Sequence, residues 1–351
     1  MKAEFGIRLP VAGPLATPDA IRTVATRAES LDYDALWVHD FIAWTTFQDR
    51  THVSCGSLET VEAAQAEPRF YDSLTNLAFL AGITDRIRLG IAVLCLPFRN
   101  PIIAAKQVAC IDSLSKGRVI LGIGVGAAKA THNVDFEVLG VSRRDKYERT
   151  KDYFRAMQAV WTQDLSSYEG EFISFPETEF FPKPVQKPYP PVWVGGGGPK
   201  SVEIAAEYAT GWLPPWVSPD EYPRRIQELR DAAAAKGRGD VEFDIATEVY
   251  VCVGRTSEEA QRNSARTLGV LTEGFADDAT PDAIKAAGLI GSPEELREKL
   301  GRYVEAGVKH YEMKFVYHTI DHLLEQLQLF REEVMPDFLE PGVPAAVGRA
   351  G

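Results

Sequence analysis

Cysteine is scarce in this 351-residue chain. There are four, Cys55, Cys95, Cys110 and Cys252, and no two are spaced as Cys-x-x-Cys. That excludes a disulfide-stapled scaffold and a cysteine zinc site, and it fits free thiols in a reducing compartment. Positive charge is also in deficit: 38 Lys and Arg stand against 50 Asp and Glu, a net charge of −12. Nucleic acid and anionic membranes are therefore not expected as partners, and no apolar run reaches the length of a bilayer span. A Gly-x-Ser-x-Gly elbow is missing, which removes support for a serine hydrolase. His318 and His322 stand four apart without a third ligand nearby, so a solvated pair is expected rather than a metal site. The first residues run straight into a strand pattern without a leader-like segment, and a cytoplasmic location is expected.

What is present is ordinary for a globular protein, 45% hydrophobic and 25% charged, with ample length for a core. The most informative stretch is PVWVGGGGPKS, residues 191–201. Apolar residues end in Gly195, Gly196, Gly197 and Gly198; then Val202, Ala205, Ala206 and Ala209 follow at helical spacing. Strand, glycine loop and helix start together make a phosphate cradle. Glycine lets the backbone approach an anion, and the first helical turn offers unpaired N–H groups. Lys200 and Ser201 add a charge and a hydroxyl. A tight turn with nothing bound is the alternative. It is not a P-loop, because Pro199 separates Gly198 from Lys200.

Around this stretch strands and helices alternate. Helix starts are marked by Thr17-Pro18-Asp19, Asp72, Asn100-Pro101, Ser218-Pro219-Asp220-Glu221 and Ser292-Pro293-Glu294-Glu295. The spacing places Ile103, Gln107, Ile111 and Leu114 on the inward side of the helix after Asn100. It places Tyr147, Phe154, Met157 and Trp161 on the apolar side of the helix that ends at Trp161. About eight strand signals alternate with about eight helix signals, which predicts parallel strands. At this length that means an α/β protein, a (β/α)₈ TIM barrel in a single domain over residues 1–351, with insertions near 42–70, 165–190 and 255–290. An open doubly wound sheet is the alternative.

In a barrel the chemistry lies at the C-terminal ends of the strands. His39 and Asp40 stand at one such end and are the best polar pair for proton transfer. Gly124 and Gly126 would thin another so that a flat ring can lie against the backbone, with plain strand packing as the alternative. Gly122-x-Gly124-x-x-Ala127 matches a dinucleotide fingerprint only formally, since its glycines sit within the strand. Trp44, Phe47, Phe180 and Trp216 are expected to form an apolar substrate wall, with 42–70 and 255–290 as lids.

The order of short motifs resembles the luciferase-like monooxygenase family, which includes bacterial luciferase and the coenzyme F420-dependent oxidoreductases. The matching residues are Phe5-Gly6, Leu36-Trp37-Val38 with Asp40, Arg88-Leu89-Gly90, Val93-Leu94, Arg99-Asn100-Pro101, Lys106-Gln107 and Leu114 to Arg118. They continue with Leu121 to Gly124, Phe136, Leu139-Gly140, Phe181-x-Pro-Lys-Pro184, Pro191 to Gly196 and Gly211-Trp212. The resemblance implies a barrel, often dimeric, with a reduced flavin or deazaflavin in its mouth. It places the cofactor phosphate at Gly195 to Ser201 and the ring against Leu94-Cys95 and Gly124 to Gly126, and Tyr147 is counted with these cofactor-binding residues. In F420-dependent members the third strand often ends in a bulge with a non-proline cis peptide. One departure stands out. The histidine that commonly follows the acid at the second strand end is Phe41 here, and the histidine precedes the acid as His39. The expected function is a monooxygenase that uses reduced FMN and O₂ on a small organic substrate, supplied by a separate flavin reductase and assembled as a homodimer. The alternatives are an F420-dependent dehydrogenase or reductase and a non-catalytic flavin-binding barrel.

Overall fold

The computed structural model describes residues 3–13, 15–40, 42–43, 69–126, 134–274 and 286–339. Eight parallel strands close into a barrel. In chain order they are β1 (Glu4–Arg8), β2 (Ala35–Val38), β3 (Arg88–Cys95), β4 (Val119–Gly124), β7 (Val192–Gly195), β8 (Gly211–Leu213), β9 (Asp244–Val253) and β11 (His310–Phe315). Sequential pairing runs from β1 to β9, and β11 closes the ring by pairing with both β9 and β1. Two further strands, β5 (Leu165–Glu169) and β6 (Ser174–Glu179), form a separate antiparallel hairpin. A short β10 (Leu289–Gly291) pairs parallel with β9 on the outside. The TIM barrel expected from the alternation is the fold of the chain.

The helix starts follow their capping residues. The Thr17 side chain accepts from the Ala20 N–H at the head of α1 (Pro18–Ser30). Asp72 accepts from Thr75 at α2 (Ser73–Ile83), and Asn100 from Ile102 and Ile103 at α3 (Pro101–Leu114). After these come α4 (Val134–Val138), α5 (Lys146–Thr162), α6 (Pro199–Tyr208), α7 (Tyr222–Ala235), α8 (Ser257–Gly274), α9 (Pro293–Glu305) and α10 (Ile320–Glu333). Ser292 and Glu295 make a complete capping box on α9; each such cap contributes about 1 kcal/mol.

The inward face predicted for α3 is corrected by the structure. Ile111 is buried as expected, but Gln107 is exposed and Ile103 and Leu114 are 61% and 65% exposed, whereas Ala104, Ala105, Val108 and Ala109 are buried. Alanines let this helix lie close against the barrel beside Val108 and Ile111, and Ile103 and Leu114 are left on the outer side. On α5 the pattern holds: Phe154, Met157 and Trp161 are buried. The 165–190 insertion is the hairpin, which packs along α5 through Tyr168 Oη to Asp152 (2.6 Å) and the Phe172 N–H to Asp152 (2.8 Å). The 255–290 insertion holds α8 and ends in β10, a strand too short to be read from sequence. Trp44, Phe47 and most of 42–70 lie outside the described residues.

Within the barrel, side chains alternate as the pleat requires. Ala35 and Trp37 of β2 point inside, with Ala92, Ile120, Trp193, Leu213 and Ala246. Leu36 and Val38 join the layer between strands and helices. Trp37 and Trp193 pack with ring centroids 5.3 Å apart, and His310 stands edge-on to Trp193 at 4.9 Å. These rings fill the N-terminal end. A side chain at Gly90 or Gly211 would begin 2.2 Å from Trp37 or Trp193, so those glycines make room for the indoles.

Candidate functional site

Three structures meet at the C-terminal mouth. The first is the irregular end of β3. Its register with β4 shifts between Ile91 and Leu94, and the Ala92–Val93 peptide is cis. Side chains built at Gly124 and Gly195 would lie 2.4 and 2.6 Å from the Val93 methyls. The bare ends of β4 and β7 therefore accommodate Val93, which is the packing alternative for Gly124. Leu94 is buried among the residues between barrel and helices, so only its backbone is available to the mouth. The Cys95 side chain lies with Phe98 and Phe136, and burial pushes its thiol pKa up.

Asp40 grips this bulge from outside. It accepts from the Cys95 N–H at 3.1 Å, from Ser73 Oγ at 2.9 Å, and from both guanidinium nitrogens of Arg99 at 2.5 and 2.6 Å. Arg99 also bonds Asp72 at 2.7 Å. Burial pushes the Asp40 carboxyl up against the pull of Arg99 and the other donors. Asp40 thus belongs to the helix-facing side. His39 follows Trp37 by two residues, on the barrel-facing side, with its ring edge-to-face against Phe70 at 5.2 Å. The structure separates the pair onto opposite faces, so the two do not form one proton-transfer unit.

The second structure is a chain of four buried charges that sequence reasoning missed. Arg8 Nε donates to Glu312 at 2.5 Å, and its Nη2 reaches Glu248 at 3.3 Å. Glu248 also accepts from Lys314. Arg8 Nη2 further donates to the Ala92 carbonyl at 3.3 Å, so the bulge is held from inside as well as outside. The Lys314 ammonium lies 5.2 Å from the Tyr250 ring and 5.7 Å from the Trp216 ring. Burial, together with the charge of Glu248, raises the Glu312 carboxyl to about 7 against the pull of Arg8. The available signal was charged residues at alternate positions, Glu312 and Lys314, in a strand that a barrel must bury.

The third is the glycine loop. Gly196 has φ +98°, a conformation that disfavours side chains, and a Cβ there would stand 2.9 Å from Ser201 Oγ. The loop is braced by Trp212 Nε1 to the Gly196 carbonyl at 3.0 Å and by Arg225 to the Gly197 carbonyl. A side chain at Gly198, the N-cap of α6, would meet nothing within 4 Å. Lys200 and Lys146 lie 4.8 and 5.3 Å from the Tyr147 ring. Lys146, also missed from sequence, donates to the Gly126 carbonyl at 3.3 Å. Burial, with Arg143 and Lys200 nearby, pushes the Lys146 ammonium down. The structure thus gathers Gly126, Tyr147, Gly195 to Gly198, Lys200 and Ser201 at one rim.

Of the expected substrate wall, Trp216 stands at the mouth beside Lys314. Phe180 does not. It packs against Phe175 of the hairpin at 5.5 Å, because the segment after β6 returns along the outside of the barrel. Among the described residues no cluster of His, Cys, Asp and Glu could hold a metal, and no helix is long and apolar enough to cross a membrane. The His318 and His322 rings stack at 5.4 Å.

Comparison with known proteins agrees with this geometry. Residues 4–310 match the model of the luciferase-like monooxygenase family. An uncharacterized protein of Mycobacterium tuberculosis is 35% identical over 215 residues, 60% of this chain and 73% of that protein. An FMNH₂-dependent dimethylsulfone monooxygenase of Pseudomonas putida is 25% identical over 297 residues, 76% of this chain and 78% of the enzyme. Among solved structures, an F420-dependent secondary alcohol dehydrogenase in complex with an F420-acetone adduct superposes with a TM-score of 0.77 at 18% identity, covering 97% of this chain and 100% of that one. With the closed barrel and a family match across most of its length, the chain belongs to the luciferase-like monooxygenase family of oxidoreductases.

Proposed function

We propose that this protein is a flavin-dependent monooxygenase that holds reduced FMN by its phosphate at Gly195 to Ser201 and oxygenates a small organic substrate. The observation that carries this reading is the rim around Gly198. Open space lies where its side chain would be, beside the first turn of α6, with Lys200, Ser201, Lys146 and Tyr147 around it. These donors suit a phosphate: helix N–H groups, a hydroxyl and two ammonium groups. Reduced FMN would supply the electrons by which one atom of O₂ enters the substrate and the other becomes water. The chain's own residues orient and shield. Val93 gives a flat ring an apolar backstop, and Asp40 and Arg8 fix the bulge that carries it. His39, on the barrel-facing side, is the imidazole placed to hold a proton near the mouth. A separate flavin reductase would deliver the reduced cofactor.

A second reading, F420-dependent hydride transfer, is favoured by the concentration of positive charge at this rim. Arg143 and Lys200 lie close enough to Lys146 to help push its ammonium pKa down, in a chain of net charge −12. Such a patch suits a polyanionic cofactor tail. Two assays separate the readings: reduced FMN in air and reduced F420 without oxygen, each with one panel of small organic substrates. Oxygenated product in the first supports the monooxygenase. Turnover confined to the second overturns it in favour of F420.

A further inference from the structure

We propose that Lys299 is an acylation site, whose side-chain amine takes a short, uncharged acyl group from an acyl thioester. The site lies on the outside of the barrel, away from the glycine cradle, and it stands independently of the cofactor reading.

The geometry is that of a cleft of about 430 Å³ between α9 and the turn before α7. Glu295, Glu298, Lys299 and Arg302 recur at i, i+3, i+4 and i+7, so α9 presents all four on one face. Ser218 and Asp220 form the facing wall. Arg302 spans the two walls, donating to both Asp220 carboxylate oxygens at 2.8 and 2.9 Å. Lys299 is half-buried, and its Nζ donates at 2.6 Å to the carbonyl of Gly288, just before β10. The amine is therefore fixed in the wall of a cleft that has room for an acyl group and part of the arm that carries it.

The same surroundings make the amine a nucleophile. Burial, and then the like charge of Arg302, lowers the Lys299 ammonium to about 8. At a pH of about 7.5 roughly a quarter of the amine is unprotonated, against roughly a thousandth of an ordinary lysine. The nitrogen lone pair adds to the thioester carbon, and a C–N bond forms as the C–S bond breaks. The thiolate leaves with its electron pair and takes up the proton that the nitrogen sheds, so nothing is oxidised or reduced. The product amide keeps one N–H, enough to retain the hydrogen bond to the Gly288 carbonyl.

The charges select the acyl group and its donor. Three carboxylates, those of Asp220, Glu295 and Glu298, line the cleft with two cationic side chains. An uncharged acyl group removes one positive charge and adds nothing. A succinyl group would also bring a new negative charge among those carboxylates. An acyl phosphate carries its own negative charge to the same place. A thioester presents an uncharged carbonyl at the end of a long arm, and any phosphates on that arm stay outside.

The test incubates the full chain with acetyl-CoA, succinyl-CoA or acetyl phosphate and reads the occupancy of each lysine by peptide mass spectrometry. Lys116, exposed on the turn after α3, is the internal reference. Near neutral pH, acetyl-CoA should label Lys299 at least about tenfold faster than Lys116. The ratios of acetyl-CoA to succinyl-CoA labelling and of acetyl-CoA to acetyl phosphate labelling should each be about threefold higher at Lys299 than at Lys116. The rate at Lys299 should rise with pH and level off above about 8. Arg302→Gln removes the like charge, so it should move that profile to higher pH and slow labelling near neutrality about threefold. Its thermal midpoint should hold, since Arg302 pairs with Asp220 at the surface. A merely structural defect would change the rate without moving the profile. Labelling of Lys299 no faster than Lys116, equal donor ratios at the two lysines, or an unmoved profile in Arg302→Gln would each overturn the assignment.

Discussion

The two sides of the barrel mouth are built on opposite electrostatic plans. On the β4 and β7 side, Lys146 and Lys200 flank Tyr147, and the pKa of Lys146 is depressed by burial and by neighbouring charges of its own sign. On the β9, β11 and β1 side, Glu312, Arg8, Glu248 and Lys314 alternate along one buried chain, whose charges balance once Glu312 has lost its proton above about pH 7. A cluster of like charge invites negative charge from outside. A compensated one attracts no ion but offers fixed, directional donors. Under the proposed function, the like-charged edge is the one that would take an anionic cofactor tail.

The contrast is most easily broken at Arg8. Arg8→Met would leave Glu248 and Glu312 buried around an apolar side chain, and loss of one partner from a buried ion pair costs about 3–5 kcal/mol. A large fall in the thermal midpoint is expected, partly restored by adding Glu312→Gln. An unchanged midpoint would mean that the charges on this side do not form a compensated unit.

The opposite rim is sharpened by Lys200→Met. Removal of one charged donor should weaken FMN binding about tenfold and leave riboflavin, which lacks the phosphate, unaffected. Fluorescence titration of both ligands measures the difference, and equal losses would show that Lys200 does not read the phosphate. The FMN advantage should also shrink as salt is added.

A smaller effect concerns pH. Glu312 holds its proton to about 7 in the folded chain against an ordinary value of 4.5. Between those values the native state binds more protons than the unfolded state, so stability from this group falls as pH rises. Above about 7 the loss is complete. Denaturation curves of Glu312→Gln should lack this slope, and identical slopes in the two proteins would refute the assignment.

Much of this architecture is legible in the sequence, for local reasons. Capping residues such as Thr17, Asn100 and Ser292 act on the adjacent turn, and each starts a helix where its chemistry predicts. The Val192–Gly195 strand and its loop carry their signal in four consecutive glycines. What is not legible depends on partners distant in the chain. Glu312 and Arg8 are 304 residues apart, and neither reads as part of a site until barrel closure brings β11 beside β1. The roles of His39 and Asp40 likewise turn on which face of the strand each occupies. The α3 face was misjudged because helical spacing reports where bulky residues recur, whereas this helix packs through alanines. Val93 enters the sequence reading only as part of a short family motif, since its importance lies in the space left by Gly124 and Gly195.

The indoles of Trp37 and Trp193, with His310 beneath them, have one last consequence. They stopper the vessel at its base, and among the described residues no lengthwise passage is left between them. Under the proposed function, reactant and product would both pass through the mouth, and a spent molecule would depart before its successor settles.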